Sequence, residues 1–254
     1  MNNTLIKVEN IVKTFGGLVA LNDCSLEIKD KAITGIIGPN GSGKTTLFNV
    51  ITGNLKPDTG KVFYNGVEIT NEESHDLFHL GVLRTFQIAH EFSNMTVIEN
   101  LMVVPGNQKG EKLLYSLMNN RQIKKEDEII RDKAMDVLKF LKIEHLKNER
   151  AGNLSGGQKK LLELGRTMMV DAKIVLLDEV GAGVNKTLLK KIGESIKTLN
   201  KEMGYTFFMI EHDIEFISSL CDPVIVMTEG TVLTEGTVSS IRNDERVIEA
   251  YLGN

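Results

Sequence analysis

Ile33-Thr34-Gly35-Ile36-Ile37-Gly38-Pro39-Asn40-Gly41-Ser42-Gly43-Lys44-Thr45-Thr46 is the most informative segment of this chain. Its beginning, 33–37, is a short apolar, β-branched run that predicts a buried strand. Residues 38–45 match G-x-x-x-x-G-K-[ST], in which small residues let backbone N–H groups surround phosphate oxygens. Helical character follows from Thr45 to Thr52 and ends at Gly53, as a helix stop signal does. This order of strand, loop and helix predicts a phosphate-binding loop.

The loop carries specific chemical expectations. Lys44 is expected to reach the β and γ phosphates of ATP, and Thr45 to ligate Mg²⁺. Thr46 completes the predicted nucleotide-binding set, because the start of the following helix presents its positive end to phosphate. A glycine-rich turn without function is the alternative, and the apolar strand immediately before the loop argues against it. We therefore expect ATP binding and hydrolysis.

Composition and charge favour an ordinary globular protein over a nucleic-acid-binding or membrane-spanning one. The chain has 254 residues, of which 41% are hydrophobic and 25% charged, with a formal net charge of −4; this is an ordinary globular composition. The absence of an overall basic charge disfavours nucleic acid as a partner. The two cysteines, Cys24 and Cys221, show no metal-binding spacing and are expected to be buried free thiols. No apolar run is long enough to span a bilayer.

The spacing of apolar residues changes along the chain and indicates where strands and helices lie. Short β-branched runs with turn signals make the first quarter β-rich. From about Lys109 to Asn148 the chain is charged and helical, with an apolar stripe at spacings of three and four, which we interpret as an internal core face. After Leu154, strands and helices alternate, which predicts a parallel sheet covered by helices. The expected fold class is therefore α/β, with a mostly parallel sheet.

A second motif ends in two adjacent carboxylates. The apolar run Ile174–Leu177 predicts a buried strand that leads directly to Asp178 and Glu179. Asp178 is expected to hold Mg²⁺, and Glu179 to orient and polarise the attacking water. The alternative is an ordinary strand end with two solvated acids.

A third motif is Leu154-Ser155-Gly156-Gly157-Gln158, which places a hydroxyl and two glycines at the start of a helix. This is again an anion-binding arrangement. Two phosphate-binding helix starts in one chain need an explanation, and the order of the motifs resembles that of the ATP-binding cassette (ABC) ATPases.

The resemblance covers nearly the whole chain and implies a complete site. It implies that Ser155, Gly156, Gly157 and Gln158 close over the nucleotide held by a second ABC ATPase subunit. It also implies that Phe15 stacks on adenine, that Gln87 contacts Mg²⁺, and that His212 contacts the γ phosphate. Separately, these three would more often be a core residue, a surface residue and a structural histidine. Together with Lys44 and Glu179, Gln87 and His212 form the expected catalytic set.

The family fold implies a division of the chain. It implies one ABC ATPase domain over 1–254, in which the nucleotide-binding core and an antiparallel β subdomain occupy 1–90 and 160–254. The helical subdomain with the signature motif occupies 91–159, and the helical segment from Gln87 to Asn148 would dock on a transmembrane permease. Three positions depart from the family pattern: Val180, where proline is usual, Phe15, where tyrosine is commoner, and Asn185, where many members have aspartate.

A narrower likeness points to the ATPase subunits of branched-chain amino-acid importers. It is carried by Phe15-Gly16-Gly17, Arg84-Thr85-Phe86-Gln87, Met95–Leu101, Ala182-Gly183-Val184-Asn185 and Ala250-Tyr251-Leu252-Gly253. The likeness implies a hetero- or homodimer at the cytoplasmic face of the cell membrane, permease subunits, and indirectly an extracytoplasmic binding protein. Urea or amide import, lipid or lipopolysaccharide export, and a cassette ATPase outside transport remain alternatives, as does a non-catalytic regulatory subunit.

Overall fold

The computed structural model of the chain describes residues 3–85, 91–106, 108 and 120–252. The chain divides into two compact units. The first comprises Met1–Gln87, Ala172–Ala182 and Ile196–Asn254, and the second comprises Ile88–Asp171 and Gly183–Ser195. The subdomain division that the sequence implied, with its helical part at 91–159, stays a prediction.

Strands predominate at the start of the described chain, helices follow from residue 97 to 168, and strands and helices alternate from residue 174 to 228. The strands are β1 (Thr4–Phe15), β2 (Leu18–Lys29), β3 (Ile33–Ile37), β4 (Thr59–Tyr64), β5 (Val67–Glu68), β6 (Val82–Arg84), β7 (Ile174–Asp178), β8 (Thr206–Ile210), β9 (Val224–Thr228) and β10 (Thr231–Gly236). The helices are α1 (Lys44–Ile51), α2 (Ser74–His79), α3 (Val97–Met102), α4 (Asn120–Phe140), α5 (Gly156–Met168), α6 (Lys186–Met203), α7 (Ile214–Leu220), α8 (Val238–Arg242) and α9 (Glu245–Leu252).

A six-stranded sheet forms the centre of the first unit, with strand order β10-β9-β3-β8-β7-β6. All neighbours in it are parallel except β9 and β10. Every residue of β3, β7 and β8 is buried, as expected for strands covered on both faces. Because the strands are parallel, the residues that follow β3, β7 and β8 emerge at the same edge of the sheet.

A four-stranded antiparallel sheet with the order β2-β1-β4-β5 completes the first unit. Its long strands show partial alternation of buried and exposed residues, as expected of a sheet with one face on the core. One hydrophobic cluster joins Ile6 and Val62 of this sheet with Leu47 and Phe48 of α1 and with Phe208 of the parallel sheet. The α/β fold class with an antiparallel β part is thus confirmed.

Both cysteines are free and buried, as the sequence predicted. Burial raises the pKa of the Cys24 and Cys221 thiols to about 12. Neither thiol is therefore ionised at neutral pH, and both act as small apolar core residues.

The second unit contains α3, α4 and α5. The apolar stripe of α4 predicted an internal core face, and Ala134, Val137, Leu138 and Leu141 are indeed buried. Gly165 of α5 lies against this stripe, because a Cβ there would meet Leu141 Cδ1 at 2.9 Å. Within the described residues, no helix combines the length and hydrophobicity that a bilayer crossing requires.

Candidate nucleotide-binding site

The phosphate loop lies between β3 and α1, and two of its glycines have no room for a side chain. Gly38 has φ +153°, and a Cβ there would lie 2.1 Å from the carbonyl oxygen of Met227 on β9. Gly43 has φ +97°, and a Cβ there would lie 2.5 Å from the carbonyl oxygen of Ala20 on β2. The loop therefore packs directly against backbone of both sheets, which only glycine permits.

Lys44 is 6% exposed and folds back over the loop. Its ammonium group donates hydrogen bonds to the carbonyl oxygens of Gly38 and Pro39, both at 2.9 Å, and to Ser42 Oγ at 3.1 Å. These three acceptors hold a positive charge over the loop. A phosphate oxygen is a stronger acceptor than a neutral carbonyl, because charge-assisted hydrogen bonds are roughly twice as strong.

Burial lowers the pKa of the Lys44 ammonium, and the negative charges of Glu179 and Asp178 act in the opposite direction. The negative charges of the two carboxylates favour the charged form of Lys44, and all three residues lie in the first unit. That they form one nucleotide site, as the two motifs indicate, stays a prediction.

Asp178 ends β7 and is 3% exposed. Its Oδ2 accepts a hydrogen bond of 2.7 Å from Nη2 of Arg84. Its backbone N–H donates to Thr85 Oγ1 at 3.4 Å. Among the described residues, Asp178 Oδ1 accepts no hydrogen bond, so this oxygen is available to a hard cation or its water ligands.

The residues present fit Mg²⁺, which prefers oxygen donors and usually takes one or two carboxylates together with phosphate oxygens and water. Asp178 Oδ1 and the hydroxyl of the exposed Thr45 are donors of this kind. Within the described residues, no cluster of three or more metal-ligating side chains occurs. The metal-binding roles of Thr45 and Asp178 stay predictions.

Glu179 adopts φ +50°, in the left-handed region that non-glycine residues seldom enter. Its backbone N–H donates to the carbonyl oxygen of Ile210 at 3.0 Å, and this bond keeps the residue at the end of β8. The carboxylate Oε1 lies 3.1 Å from Nε2 of His212. Strained backbone of this kind concentrates at functional sites because it aims a side chain that a regular strand would misplace.

Glu211 is a site residue that the sequence analysis missed. It is 4% exposed, and its Oε1 accepts the N–H of Gly181 at 2.7 Å. Burial raises the pKa of the Glu211 carboxyl group. By accepting the Gly181 N–H, the side chain of Glu211 holds the turn that follows Glu179. A signal was present, because the apolar strand β8 leads straight into Glu211 as β7 leads into Asp178.

Phe15 ends β1 and is 49% exposed, and Lys13 Nζ lies 5.8 Å from the centroid of its ring. The strand end that carries it is fastened by Asp58, which accepts from Lys13 Nζ at 2.8 Å and from the Thr14 N–H at 2.7 Å. The predicted stacking role of Phe15 is compatible with this exposure and stays a prediction.

The signature segment begins α5 in the second unit. Ser155 is the N-cap, and its Oγ accepts from the Gln158 N–H at 3.4 Å, while Gln158 Oε1 accepts from the Ser155 N–H at 2.8 Å. This capping box satisfies two donors of the helix start. The two glycines between them differ, because a Cβ on Gly157 would lie 2.2 Å from Leu188 Cδ2, whereas a Cβ on Gly156 would meet nothing within 4 Å.

The predicted residues thus fall into three groups. Lys44, Asp178, Glu179 and His212 lie in the first unit with the rest of the phosphate loop, and Ser155 to Gln158 lie in the second. Gln87 lies outside the described residues.

Comparison with known proteins gives a consistent family. Residues 21–182 match the family described as "ABC transporter", and residues 231–254 match "Branched-chain amino acid ATP-binding cassette transporter". A probable branched-chain amino acid transport ATP-binding protein LivG from Archaeoglobus fulgidus is 43% identical, covering 98% of this chain and 95% of the relative. A protein of the same description from Methanocaldococcus jannaschii is 42% identical, with 98% and 97% covered.

Solved structures agree with these relatives. A nucleotide-free ATP-binding cassette of an ABC transporter superposes with a TM-score of 0.85 at 41% identity, covering 99% of this chain and 100% of that one. The ADP conformation of an ABC transporter cassette gives 0.84 at 40% identity, with 99% of each chain covered. A dimeric cassette bound to ADP and Pi gives 0.74 at 26% identity, with 92% and 99% covered.

A family match over more than half of the chain and full-length relatives above 40% identity lead to one conclusion. This chain belongs to the ABC transporter family, as an ATP-hydrolysing ATP-binding cassette of the LivG-like branched-chain amino acid group.

Proposed function

We propose that the chain hydrolyses Mg-ATP at the interface of a cassette dimer and thereby drives import of branched-chain amino acids. The observation that carries the catalytic part is the 3.1 Å contact between Glu179 and His212, next to Asp178 and in electrostatic reach of Lys44. These groups supply a base, a base-orienting partner, a carboxylate for a hard cation, and a cation for phosphate.

Nucleotide binding would use the first unit. Lys44 exchanges its loop carbonyls for oxygens of the β and γ phosphates, and N–H groups of the glycine loop and of the first turn of α1 surround the same oxygens. Phe15 offers its exposed ring to the adenine. Mg²⁺, when bound, neutralises charge that develops on the transferred phosphoryl group and its leaving oxygen; Thr45, Asp178 and Gln87 would hold it.

Hydrolysis would run through Glu179. Its carboxylate orients a water molecule and accepts a proton as the water oxygen bonds to the γ phosphorus. The bond from that phosphorus to the bridging oxygen breaks, and its electrons remain on ADP. His212, in the tautomer that carries hydrogen on Nε2, donates to Glu179 and so holds the carboxylate for this task; with ATP bound, this single N–H would be shared between Glu179 and a phosphate oxygen.

A second subunit would complete each site. Ser155 to Gln158 of one chain would close over the nucleotide on the phosphate loop of the other, and the open surface at Gly156 would let backbone approach phosphate. The dimeric cassette bound to ADP and Pi, a 26% identical structural relative, supports this arrangement. The partner would be an identical chain or a related ATPase.

Transport of branched-chain amino acids rests on the relatives. Proteins of the LivG description match over nearly their full length, and the C-terminal residues 231–254 match the segment described for branched-chain amino acid transporters. We place the dimer at the cytoplasmic face of the cell membrane, against permease subunits that receive substrate from an extracytoplasmic binding protein. The helical segment would be the docking surface.

The decisive test for the catalytic part is Glu179→Gln. The variant should bind Mg-ATP and accumulate as a dimer in size-exclusion chromatography, because the base is lost while the phosphate contacts remain. Turnover should fall by about 10²-fold or more. Normal phosphate release by this variant would refute the assignment of Glu179 as the base.

The transport part needs the assembled complex. Reconstituted in vesicles with its permease and binding protein, the chain should show ATPase activity stimulated by leucine, isoleucine or valine and not by urea. Stimulation by urea alone would refute the proposed substrate while leaving the ATPase intact.

A further inference from the structure

Arg84 links two parts of the first unit that serve the nucleotide. It is the last residue of β6, and its Nη2 donates to Asp178 Oδ2 at 2.7 Å. Its other terminal nitrogen, Nη1, donates to Asn49 Oδ1 on α1, the helix that follows the phosphate loop. One guanidinium thus joins the carboxylate at the end of β7 to that helix.

The ion pair between Arg84 and Asp178 is buried. The side chains of Arg84 and Asp178 are 9% and 4% exposed, and the guanidinium carbon lies 5.9 Å from the centroid of the Phe48 ring. Long, buried side chains held at both nitrogens have few alternative positions, so the carboxylate they contact is held in one rotamer. The fork geometry of arginine makes this possible, and a lysine has a single nitrogen with which to do it.

The bond to Arg84 also divides the two oxygens of Asp178 between two tasks. Oδ2 accepts from Arg84, while Oδ1 accepts no hydrogen bond among the described residues. Partners of this kind behind a metal-ligating carboxylate orient it, and their mutation typically costs about 10–100-fold in metal affinity. Arg84 Nε, in contrast, is buried without a hydrogen-bond partner among the described residues, an unfavourable placement tolerated for the sake of the two terminal contacts.

We propose that Arg84 is a positioning residue for Asp178: it occupies Oδ2, presents Oδ1 to the Mg²⁺ of the bound nucleotide, and is itself oriented by Asn49. The inference rests on the proposed role of Asp178 toward Mg²⁺. It goes beyond that role by making the geometry of the carboxylate depend on α1. Metal affinity and the phosphate-loop helix are therefore coupled through one side chain.

The test compares Arg84→Lys with Arg246→Lys. Arg246 forms a 2.7 Å pair with Asp244, also from Nη2 to Oδ2, but its side chain is 61% exposed, so it controls for an arginine–aspartate pair outside the site. Two quantities are measured in each variant: Mg²⁺ concentration at half-maximal turnover, and affinity of the ATP complex for Mn²⁺ by electron paramagnetic resonance. The second does not depend on catalysis.

Arg84→Lys should raise the Mg²⁺ requirement and weaken Mn²⁺ binding by about 10-fold or more, the usual effect of removing a partner behind a metal ligand. Binding of ATP in EDTA should stay within about twofold of wild type. Asn49→Ala keeps the ion pair and removes the acceptor of Arg84 Nη1. This variant should raise the Mg²⁺ requirement and weaken Mn²⁺ binding by less than Arg84→Lys does. Arg246→Lys should change none of these.

Equal metal dependence in Arg84→Lys and wild type would overturn the proposal, as would a parallel loss of ATP binding in EDTA, which marks a purely structural pair. Asp178→Asn distinguishes the proposed role of Asp178 toward Mg²⁺ from the proposed positioning role of Arg84. If Asp178→Asn leaves Mn²⁺ affinity unchanged, the metal role proposed above is wrong. If it lowers that affinity and Arg84→Lys does not, only the inference about Arg84 fails.

Discussion

His212 Nε2 lies 3.1 Å from Glu179 Oε1, although 33 residues separate the two in sequence. The contact follows from sheet register. β7 and β8 are parallel neighbours, and Asp178 pairs with Ile210, so the residues beyond these two positions emerge side by side. The left-handed backbone of Glu179 then turns its carboxylate away from the strand direction. The proposed base and its partner are therefore brought together by backbone geometry.

Replacement of His212 by alanine should lower kcat by about 10²-fold or more. The carboxylate of Glu179 then loses the hydrogen-bond donor that holds it, and the transition state loses a donor to phosphate oxygen. Affinity for Mg-ATP should change little. Phosphate release and nucleotide titration on the same preparation separate the two effects. His145→Ala, at an exposed position in the second unit, is the control; a wild-type kcat in His212→Ala would contradict the assigned role.

Replacement of Lys44 by alanine should abolish the thermal stabilisation that Mg-ATP confers. A ligand at 100 times its dissociation constant stabilises the native state by about 2.7 kcal/mol, and that term disappears when affinity is lost. Melting curves with and without Mg-ATP measure it. Lys56→Ala, an exposed lysine after the helix α1, should keep the full shift. An unchanged shift in Lys44→Ala would show that the nucleotide binds elsewhere.

The two glycines of the signature segment should respond oppositely to alanine. Gly157→Ala forces a methyl group against Leu188 Cδ2, and overpacking of this kind costs about 1–3 kcal/mol, so the melting temperature should fall by several degrees. Gly156→Ala meets no neighbour and should melt as wild type does, yet turnover should fall because its open surface is proposed to receive the partner's nucleotide. Full activity in Gly156→Ala would count against the shared site.

Glu211→Gln should stabilise the protein increasingly as pH rises. Burial raises the pKa of Glu211 in the folded state, so its proton is bound more tightly there than in the unfolded chain. The stability that this proton provides is complete below the unfolded value of 4.5 and is lost as pH rises through the folded pKa. Glutamine keeps an acceptor for the Gly181 N–H without a buried charge. The melting temperature of Glu211→Gln relative to wild type should therefore increase from pH 4 to pH 8; a constant difference would contradict this.

Much of the fold was predictable because its signals are local. The apolar run 33–37, the glycine loop and the helix after it specify a strand, a loop and a helix without reference to the rest of the chain. The alternation after Leu154 likewise predicted a parallel sheet, which the structure confirms. The helices α8 and α9 at the C-terminus were not predicted, although Thr237 and Asp244 accept backbone N–H groups at their starts, a start signal that the sequence analysis did not use.

The candidate site likewise has a part that the sequence indicated and a part that only the tertiary structure decided. From the sequence, motif spacing pointed to Lys44, Asp178 and Glu179, because it constrains loops that bind phosphate, and the resemblance to the family added His212; the roles of these side chains stay predictions. Only the tertiary structure decided that Arg84 holds one oxygen of Asp178 and that Glu211 holds the turn after Glu179. The first contact joins the neighbouring strands β6 and β7, and the second joins the segments that follow β7 and β8. Both depend on sheet order and register, which no local pattern in the chain encodes.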